Sequence, residues 1–365
     1  MTSSLIGKTK SELDTPALLI DLDVFEKNIE RLAQICKEHG MAWRPHSKAH
    51  KSPLLARYLM DSGACGITCA KLSEAELMVA HGIDKILIAN QIVTPAKLRR
   101  LASLQENAHV LSTLDTLRMV APTDAAARDG GTRIPVLIDV DIGMNRTGIA
   151  PGAPVLELAR AIVARENLDF KGIMGYEGHV LDLEPPDEKI RACQEALNLL
   201  LESRDLLEQN NIPVEIISAG GTGCYNITAA HPGITELQAG GGIFMDLMYR
   251  DTCSIDELEF ALTVLGTVTS RHPRHAVVDA GFKTMSGYHH QPRPLLREDL
   301  TFRYLSAEHG VWDIEEGCDG PQVGEQIEFL VGYSDSTNFL HERFIGLRQG
   351  VVESVWEIAA RGKLH

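Results

Sequence analysis

No stretch of this 365-residue chain approaches 18 consecutive apolar residues, the least that a membrane-crossing helix needs. A spanning helix is therefore not expected. Met1 to Lys10 holds no apolar core of signal-peptide size, which points to a cytoplasmic protein. Long basic runs are missing too, and 50 acidic residues against 35 Lys and Arg leave a net charge of -15. Such a chain repels phosphate backbones and anionic lipid, so the expected partner is a small molecule, with no nucleic acid and no membrane. Cysteine is sparse, and its count of seven is odd. Cys65, Cys69, Cys193 and Cys224 lie in apolar runs or beside glycine, the setting of buried reduced thiols and not of a disulfide framework. Cys65 and Cys69 have no second pair at zinc-site spacing. Low-complexity segments are absent as well.

What is present is an ordinary globular composition, 44% hydrophobic and 23% charged, long enough for one large domain and a smaller one. Ala17 to Asp21 reads as an apolar strand leading into a helix, where Phe25, Ile29, Leu32, Ala33 and Ile35 to Cys36 recur at helical spacing. From residue 41 the strand-helix unit repeats, with strands predicted at 41–48, 65–69, 85–90, 108–112, 134–140, 170–176, 213–218 and 235–239. Eight apolar strands separated by helices argue for parallel pairing and a (β/α)8 barrel, with the doubly wound open sheet as runner-up. After about residue 250 the texture changes to short β-rich runs punctuated by Gly310, Gly324 and Gln349-Gly350. The expected fold is α/β: an N-terminal (β/α)8 barrel over 22–250 and a C-terminal, mostly antiparallel β domain over 251–365, with 1–21 packing on the latter.

Ionisable residues concentrate in Trp43-Arg44-Pro45-His46-Ser47-Lys48-Ala49-His50-Lys51. Pro45 disfavours helix before it and Ser52-Pro53 opens the next helix, so the segment is predicted to be extended, the functional end of a strand. A partly desolvated lysine among other cations has a lowered pKa and suits Schiff-base chemistry, which leaves both Lys48 and Lys51 as candidates. In a barrel, active residues belong at the C-terminal strand ends and in the loops after them. The unusual residues obey that rule. His46 and Lys48 follow the first strand, Asp139 to Gly148 with Arg146 the fifth, and Tyr176-Glu177-Gly178-His179 the sixth. Ser218 to Gly223 follows the seventh and Gln238 to Gly242 the eighth. Two glycine-rich loops after the last strands suit an anion nest, and a lysine with a phosphate nest suggests pyridoxal phosphate. Each element alone has a plainer reading: glycine for left-handed backbone, Arg146 for a surface ion pair, Asp139 and Asp141 for a solvated loop, His179 for a structural histidine. Their joint occurrence at one end of one barrel favours the site. His289-His290 and Arg293 read as solvated loop.

With RPHSKAHK, DIGMNRTG, SAGGTG, TELQAGGGIFMD, VVDAGFK and AEHGVW in this order, the chain from about Thr15 onward resembles the D-threonine aldolase and D-serine dehydratase family. This is the alanine-racemase-like group called fold type III of pyridoxal phosphate enzymes. The resemblance implies a barrel, a C-terminal β domain and a homodimer with active sites at the subunit interface. It implies that Lys48, and not Lys51, is the Schiff-base lysine, that Arg146 approaches the cofactor's 3-hydroxyl oxygen, that Tyr176 neighbours the cofactor, and that Gln238 lies on the ring side. Gly221, Thr222, Gly240 and Gly241 resemble the phosphate cup; Gly223 of the same loop and His46 beside the lysine complete the expected cofactor contacts.

The chain departs from this pattern twice. Relatives carry His-x-Asp or His-x-Cys near the C-terminus as metal ligands, whereas here Tyr333-Ser334-Asp335 leaves one carboxylate, expected to hold Mg²⁺ or Mn²⁺ weakly. Six residues past Tyr176, where such aldolases have a histidine, stands Asp182; His179, three residues past it, is the nearest substitute. The reaction implied is cleavage of a D-3-hydroxy amino acid to glycine and an aldehyde, with Lys48 and His179 as catalytic residues. Dehydration of D-serine or D-3-hydroxyaspartate is the alternative, and expelling a hydroxyl depends more on a Lewis acid. A racemase would need a second base, for which a β-domain tyrosine such as Tyr333 is the candidate. A non-enzymatic pyridoxal phosphate carrier is disfavoured by the long β domain.

Overall fold

The structure, a computed structural model, describes residues 4–365 in two compact bodies. One comprises 32–48, 56–240 and 363–365. Its strands are β2 (Ala42–Trp43), β3 (Ile67–Cys69), β4 (Lys85–Gln91), β5 (His109–Leu114), β6 (Ile134–Asp139), β7 (Leu168–Met174), β8 (Ile216–Ala219) and β9 (Glu236–Leu237). They pair in parallel in the order β2-β9-β8-β7-β6-β5-β4-β3, and a parallel bridge between His46 and Thr68 joins the two terminal strands. A doubly wound sheet would leave those edges apart; this one curls into a barrel. All six residues of β6 are buried, as expected of a parallel strand covered on both faces. The covering helices are amphipathic: in Ala153–Val163 the buried residues Val155, Leu158, Ala159 and Ile162 follow helical spacing.

The first barrel strand is shorter than the predicted 41–48. Pro45 has no N–H to give to a ladder, so regular β2 stops at Trp43, while the Pro45 carbonyl, accepting from the Thr68 amide at 3.0 Å, and the His46 amide, donating to the Gln238 carbonyl at 3.2 Å, continue the contacts on either side. Ser47–Ala49 then forms a single 3₁₀ turn. Lys48 therefore leaves the barrel on a turn and not on extended strand.

The other body comprises the residues up to Arg31 together with 49–55 and 241–362. Its sheet runs β13 (Leu300–Leu305), β14 (Gly310–Ile314), β11 (His275–Val278), β10 (Leu262–His272), β1 (Ala17–Asp21), β16 (Arg343–Arg348), β17 (Val351–Glu357), with β15 (Gln326–Leu330) also on β10. Pairing is antiparallel except between β1 and β16. The core is aromatic: Phe244 stacks on Phe25 at 5.8 Å and on Phe344 at 5.3 Å, and Trp312 stacks on Phe329 at 4.8 Å. Among the described residues no helix is long and apolar enough to cross a membrane.

Candidate active site

The turn that carries Lys48 is fastened from beneath. Buried Ser47 places Oγ 2.9 Å from both the Thr68 carbonyl and Glu74 Oε1, while Glu74 Oε2 accepts the Ala70 amide at 2.9 Å. The Lys48 amide donates to His46 Nδ1 at 3.2 Å, and the lysine itself is half-buried. Lys51 sits differently: it is buried in the other body, in left-handed backbone at φ 48°, with its carbonyl accepting the Ala360 amide at 2.9 Å.

Three further barrel loops converge. After β6, Asp141 Oδ1 accepts the Gly143 and Asn145 amides, both at 3.0 Å, and this side-chain turn folds the loop back. Arg146 thereby lies over the Tyr176 ring, 5.8 Å from its centroid. Asp139 is no solvated loop residue. It is buried, its carboxylate accepts from Gln91 Nε2 at 2.7 Å and from Thr147 Oγ1 at 2.9 Å, and burial pushes its pKa up against those two bonds. The Tyr176 ring lies against both Gly178 and Gly221; a Cβ at Gly221 would stand 2.9 Å from the ring. A Cβ at Gly240 would strike the His46 backbone, so no side chain fits either position. Thr222 and Gly223 are buried in a 3₁₀ turn, and Gln238 Nε2 donates to Ser218 Oγ at 2.9 Å. His179 is exposed on the turn Gly178–Val180, its imidazole against Gly143, where a Cβ would meet Nε2 at 2.5 Å. Asp182 is exposed. Lys48, His46, Arg146, Tyr176, His179, Gly221 to Gly223, Gln238 and Gly240 thus share the barrel body, whereas Gly241 packs in the other body on the Tyr249 ring.

Within the β body, Tyr333 Oη donates to Asp335 Oδ2 at 2.8 Å. The Tyr333 ring meets His289 edge-on at 5.1 Å and Tyr249 at 6.1 Å. His290 Nε2 lies 2.7 Å from Thr252 Oγ1, and a Cβ at Gly332 would overlap the His290 carbonyl. His290 is therefore half-buried against the Tyr333 segment, while His289 stays exposed with its ring edge on Tyr333; no periodicity announces such a loop-to-loop contact. Beneath it, fully buried Asp246 accepts the Tyr249 amide at 3.0 Å and the Ser334 amide at 2.8 Å, yet burial pushes its pKa up to about 7. His50, also fully buried, accepts the Ser52 amide at 3.0 Å, and burial followed by the Lys51 charge pushes its pKa down to about 3.

Among the described residues one group of three could ligate a metal, Glu177, Cys193 and Cys224, with donor atoms within 4.8 Å of one another. Its carboxylate is already engaged. Glu177 Oε2 accepts the Gly220 amide at 3.2 Å, and Oε1 accepts from the Thr228 hydroxyl and from the Cys224 thiol at 3.4 Å. The hydrogen bond with Cys193, then burial, raises the Cys224 pKa well above the thiol range, which keeps the proton on sulfur as a donor. Sequence reading quoted Glu177 inside the Tyr176 to His179 motif without a role; only the fold shows what its carboxylate reaches.

Residues 20–247 match the family described as the alanine racemase N-terminal domain, and residues 261–347 the putative serine dehydratase domain. The chain is 36% identical to a 3-hydroxy-D-aspartate aldolase of Paracoccus denitrificans, covering 99% of this chain and 95% of that one. It is also 36% identical to a D-threonine aldolase of an Arthrobacter species, over 98% and 95% of the two lengths. The crystal structure of D-threonine aldolase from Filomicrobium marinum superposes with a TM-score of 0.95 at 34% identity, over 99% of both chains.

The two buried groups of the β body make opposite contributions to pH-dependent stability. Between about pH 4 and 7 the unfolded chain gives up the Asp246 proton while the folded chain keeps it, so stability falls as pH rises. Between about pH 6.5 and 3 the unfolded chain takes up a proton at His50 and the folded chain does not, so stability falls as pH drops. Asp246→Asn removes the first slope. Urea unfolding across pH 4 to 6.5 should show the stability of the variant rising relative to wild type by about 1.4 kcal/mol per pH unit; a constant difference would refute the raised Asp246 pKa.

Proposed function

The chain belongs to the alanine-racemase-like family of D-threonine aldolases and D-serine dehydratases, and on that footing we propose that it is a pyridoxal phosphate-dependent lyase cleaving a D-3-hydroxy amino acid to glycine and an aldehyde. The observation that carries this reading is the likeness to two aldolases over nearly the whole chain. The barrel residues fit the cofactor: an amine on a fastened turn, glycine turns where a Cβ would strike Tyr176 or His46, and an aromatic ring with an arginine over it. Lys48 would hold the group covalently, Gly221, Thr222, Gly223 and Gly240 its phosphate through backbone N–H groups, and His46, Arg146, Tyr176 and Gln238 its ring region. When bound, pyridoxal phosphate supplies an electron sink for the pair released from the Cα–Cβ bond.

The chain's own residues do the rest. His179, exposed beside the DIGMNRTG loop, takes the proton of the substrate β-hydroxyl on an imidazole nitrogen. Glu74 and Ser47 keep the Lys48 turn in one conformation. Arg146 holds positive charge over Tyr176, on the side of the barrel loops. A homodimer belongs to the same proposal, supported by the family alone.

The divalent ion of the family pattern does not fit the Tyr333 segment. A neutral phenol stands where a ligand is required, it donates to the one carboxylate, and among the described residues no group of three His, Cys, Asp or Glu donors includes Asp335. This weighs against the dehydratase, whose leaving hydroxyl has the greater need of a Lewis acid.

The purified protein should absorb in the visible as a lysine-bound cofactor does; Lys48→Ala should lose that band and Lys51→Ala keep it, and the reverse pattern would displace Lys48. Products from D-threonine, D-serine and D-threo-3-hydroxyaspartate should include glycine and an aldehyde, undiminished after chelation. Keto acid and ammonia would make the enzyme a dehydratase, the L-enantiomer alone a racemase, and activity lost on chelation and restored by Mn²⁺ would reinstate the metal.

A further inference from the structure

We propose that Glu177 is a positioning residue for the phosphate turn: one buried carboxylate that holds Gly220 and the helix behind it, and so sets the affinity for the phosphate of the cofactor. The inference rests on the proposed pyridoxal phosphate chemistry and goes beyond it, because Glu177 itself is fully buried and is given no contact with substrate or cofactor.

The carboxylate gathers donors from three elements. Gly220 N–H comes from the turn after β8, at 3.2 Å from Oε2. The Thr228 hydroxyl comes from the helix Tyr225–Ala230, and the Cys224 thiol from the 3₁₀ turn Thr222–Cys224. Cys193, from the helix Pro186–Gln209, adds a long contact at 3.9 Å. The Gly220 amide can only donate, and the Thr228 hydroxyl and the Cys224 thiol each have a proton to give, so three donors from separate segments converge on the two oxygens of one side chain. Gly220 also has to be glycine. At φ 80° it lies in left-handed backbone, and a Cβ there would come within 2.5 Å of Leu237. The amide at the head of the Gly220 to Gly223 turn is thus committed to Glu177, while the end of that turn is tied to the same carboxylate through Cys224. Tyr176, the neighbour of Glu177, lies against Gly221 of the same turn. The strand end that presents the tyrosine therefore also sets the turn it packs on.

A glutamine at 177 keeps the shape but replaces one accepting oxygen by an NH₂ donor among groups that are themselves donors. The measurement is the rate at which the full-length holoenzyme releases pyridoxal phosphate on dilution into a trap, with the ³¹P shift of the bound phosphate as a spectroscopic signature. Pyridoxal, which lacks the phosphate, serves as the control ligand. Glu177→Gln should release pyridoxal phosphate about tenfold faster, the equivalent of one hydrogen bond, and move the ³¹P shift, with pyridoxal affinity unchanged. Thr228→Val, which leaves the carboxyl group in place and removes one donor, should shift both readouts in the same direction, and it decides the matter if the glutamine variant does not fold. Unchanged release in both variants would overturn the positioning role, as would equal weakening of pyridoxal and pyridoxal phosphate. A wild-type protein that binds neither would overturn the proposed function itself, an outcome separate from either of these.

Discussion

The seam between the first and last barrel strands depends on one buried ion pair. β2 and β9 share two residue pairs, Ala42 with Glu236 and Trp43 with Leu237, and the backbone contact runs on from the Arg44 amide to the Leu237 carbonyl at 2.9 Å and from the His46 amide to the Gln238 carbonyl at 3.2 Å. Beside that ladder, Arg44 Nε meets Glu236 Oε2 at 2.8 Å, with both side chains less than a tenth exposed. Glu236 Oε1 in turn accepts from Ser218 on β8, and Trp43 Nε1 donates to the Ala239 carbonyl at 2.8 Å. Removing either charged partner would strand the other, at a cost of about 3–5 kcal/mol. Lys48 follows one side of this seam and Gly240 the other, so the ion pair also sets the segments the chemistry uses.

Much of this architecture can be read from the chain, and the parts that cannot have physical causes. Eight strand-helix units are legible because parallel strands buried on both faces appear as apolar runs, Ile134 to Asp139 being the clearest. The short first strand is not, because the apolar-to-polar pattern around Trp43 is the same whether or not Pro45 ends the ladder. Asp139 and Glu177 illustrate a different limit: an acidic residue at a strand end looks solvated until the donors that turn toward it, Gln91 and Thr147 or Gly220 and Thr228, come from elsewhere in the chain. His289 and His290 escape for the same reason, since their packing partners Tyr333 and Thr252 are distant in sequence.

The segment around Tyr333 shows how a family fold can keep its scaffold while its chemistry shifts. Asp246 anchors Ser334 and Tyr249 from below, and the His290 backbone leaves no room for a side chain at Gly332, so packing and hydrogen bonds fix the backbone path. Given that path, a phenol at 333 has a partner within reach in Asp335, whose Oδ2 accepts its proton at 2.8 Å. Family membership therefore carries the lyase reading for this chain, whereas the local donor set argues against the ion.

The hydrogen bond from the Lys48 amide to His46 also fixes something about the ring it ends on. A nitrogen that accepts cannot carry the proton, so neutral His46 is the tautomer protonated at Nε2, and its far edge presents an N–H donor. Protonation at Nδ1 would forfeit the bond that shapes the lysine turn. The backbone of one residue thereby decides which edge of its neighbour's ring is electropositive, two positions before the amine that is to do the covalent work.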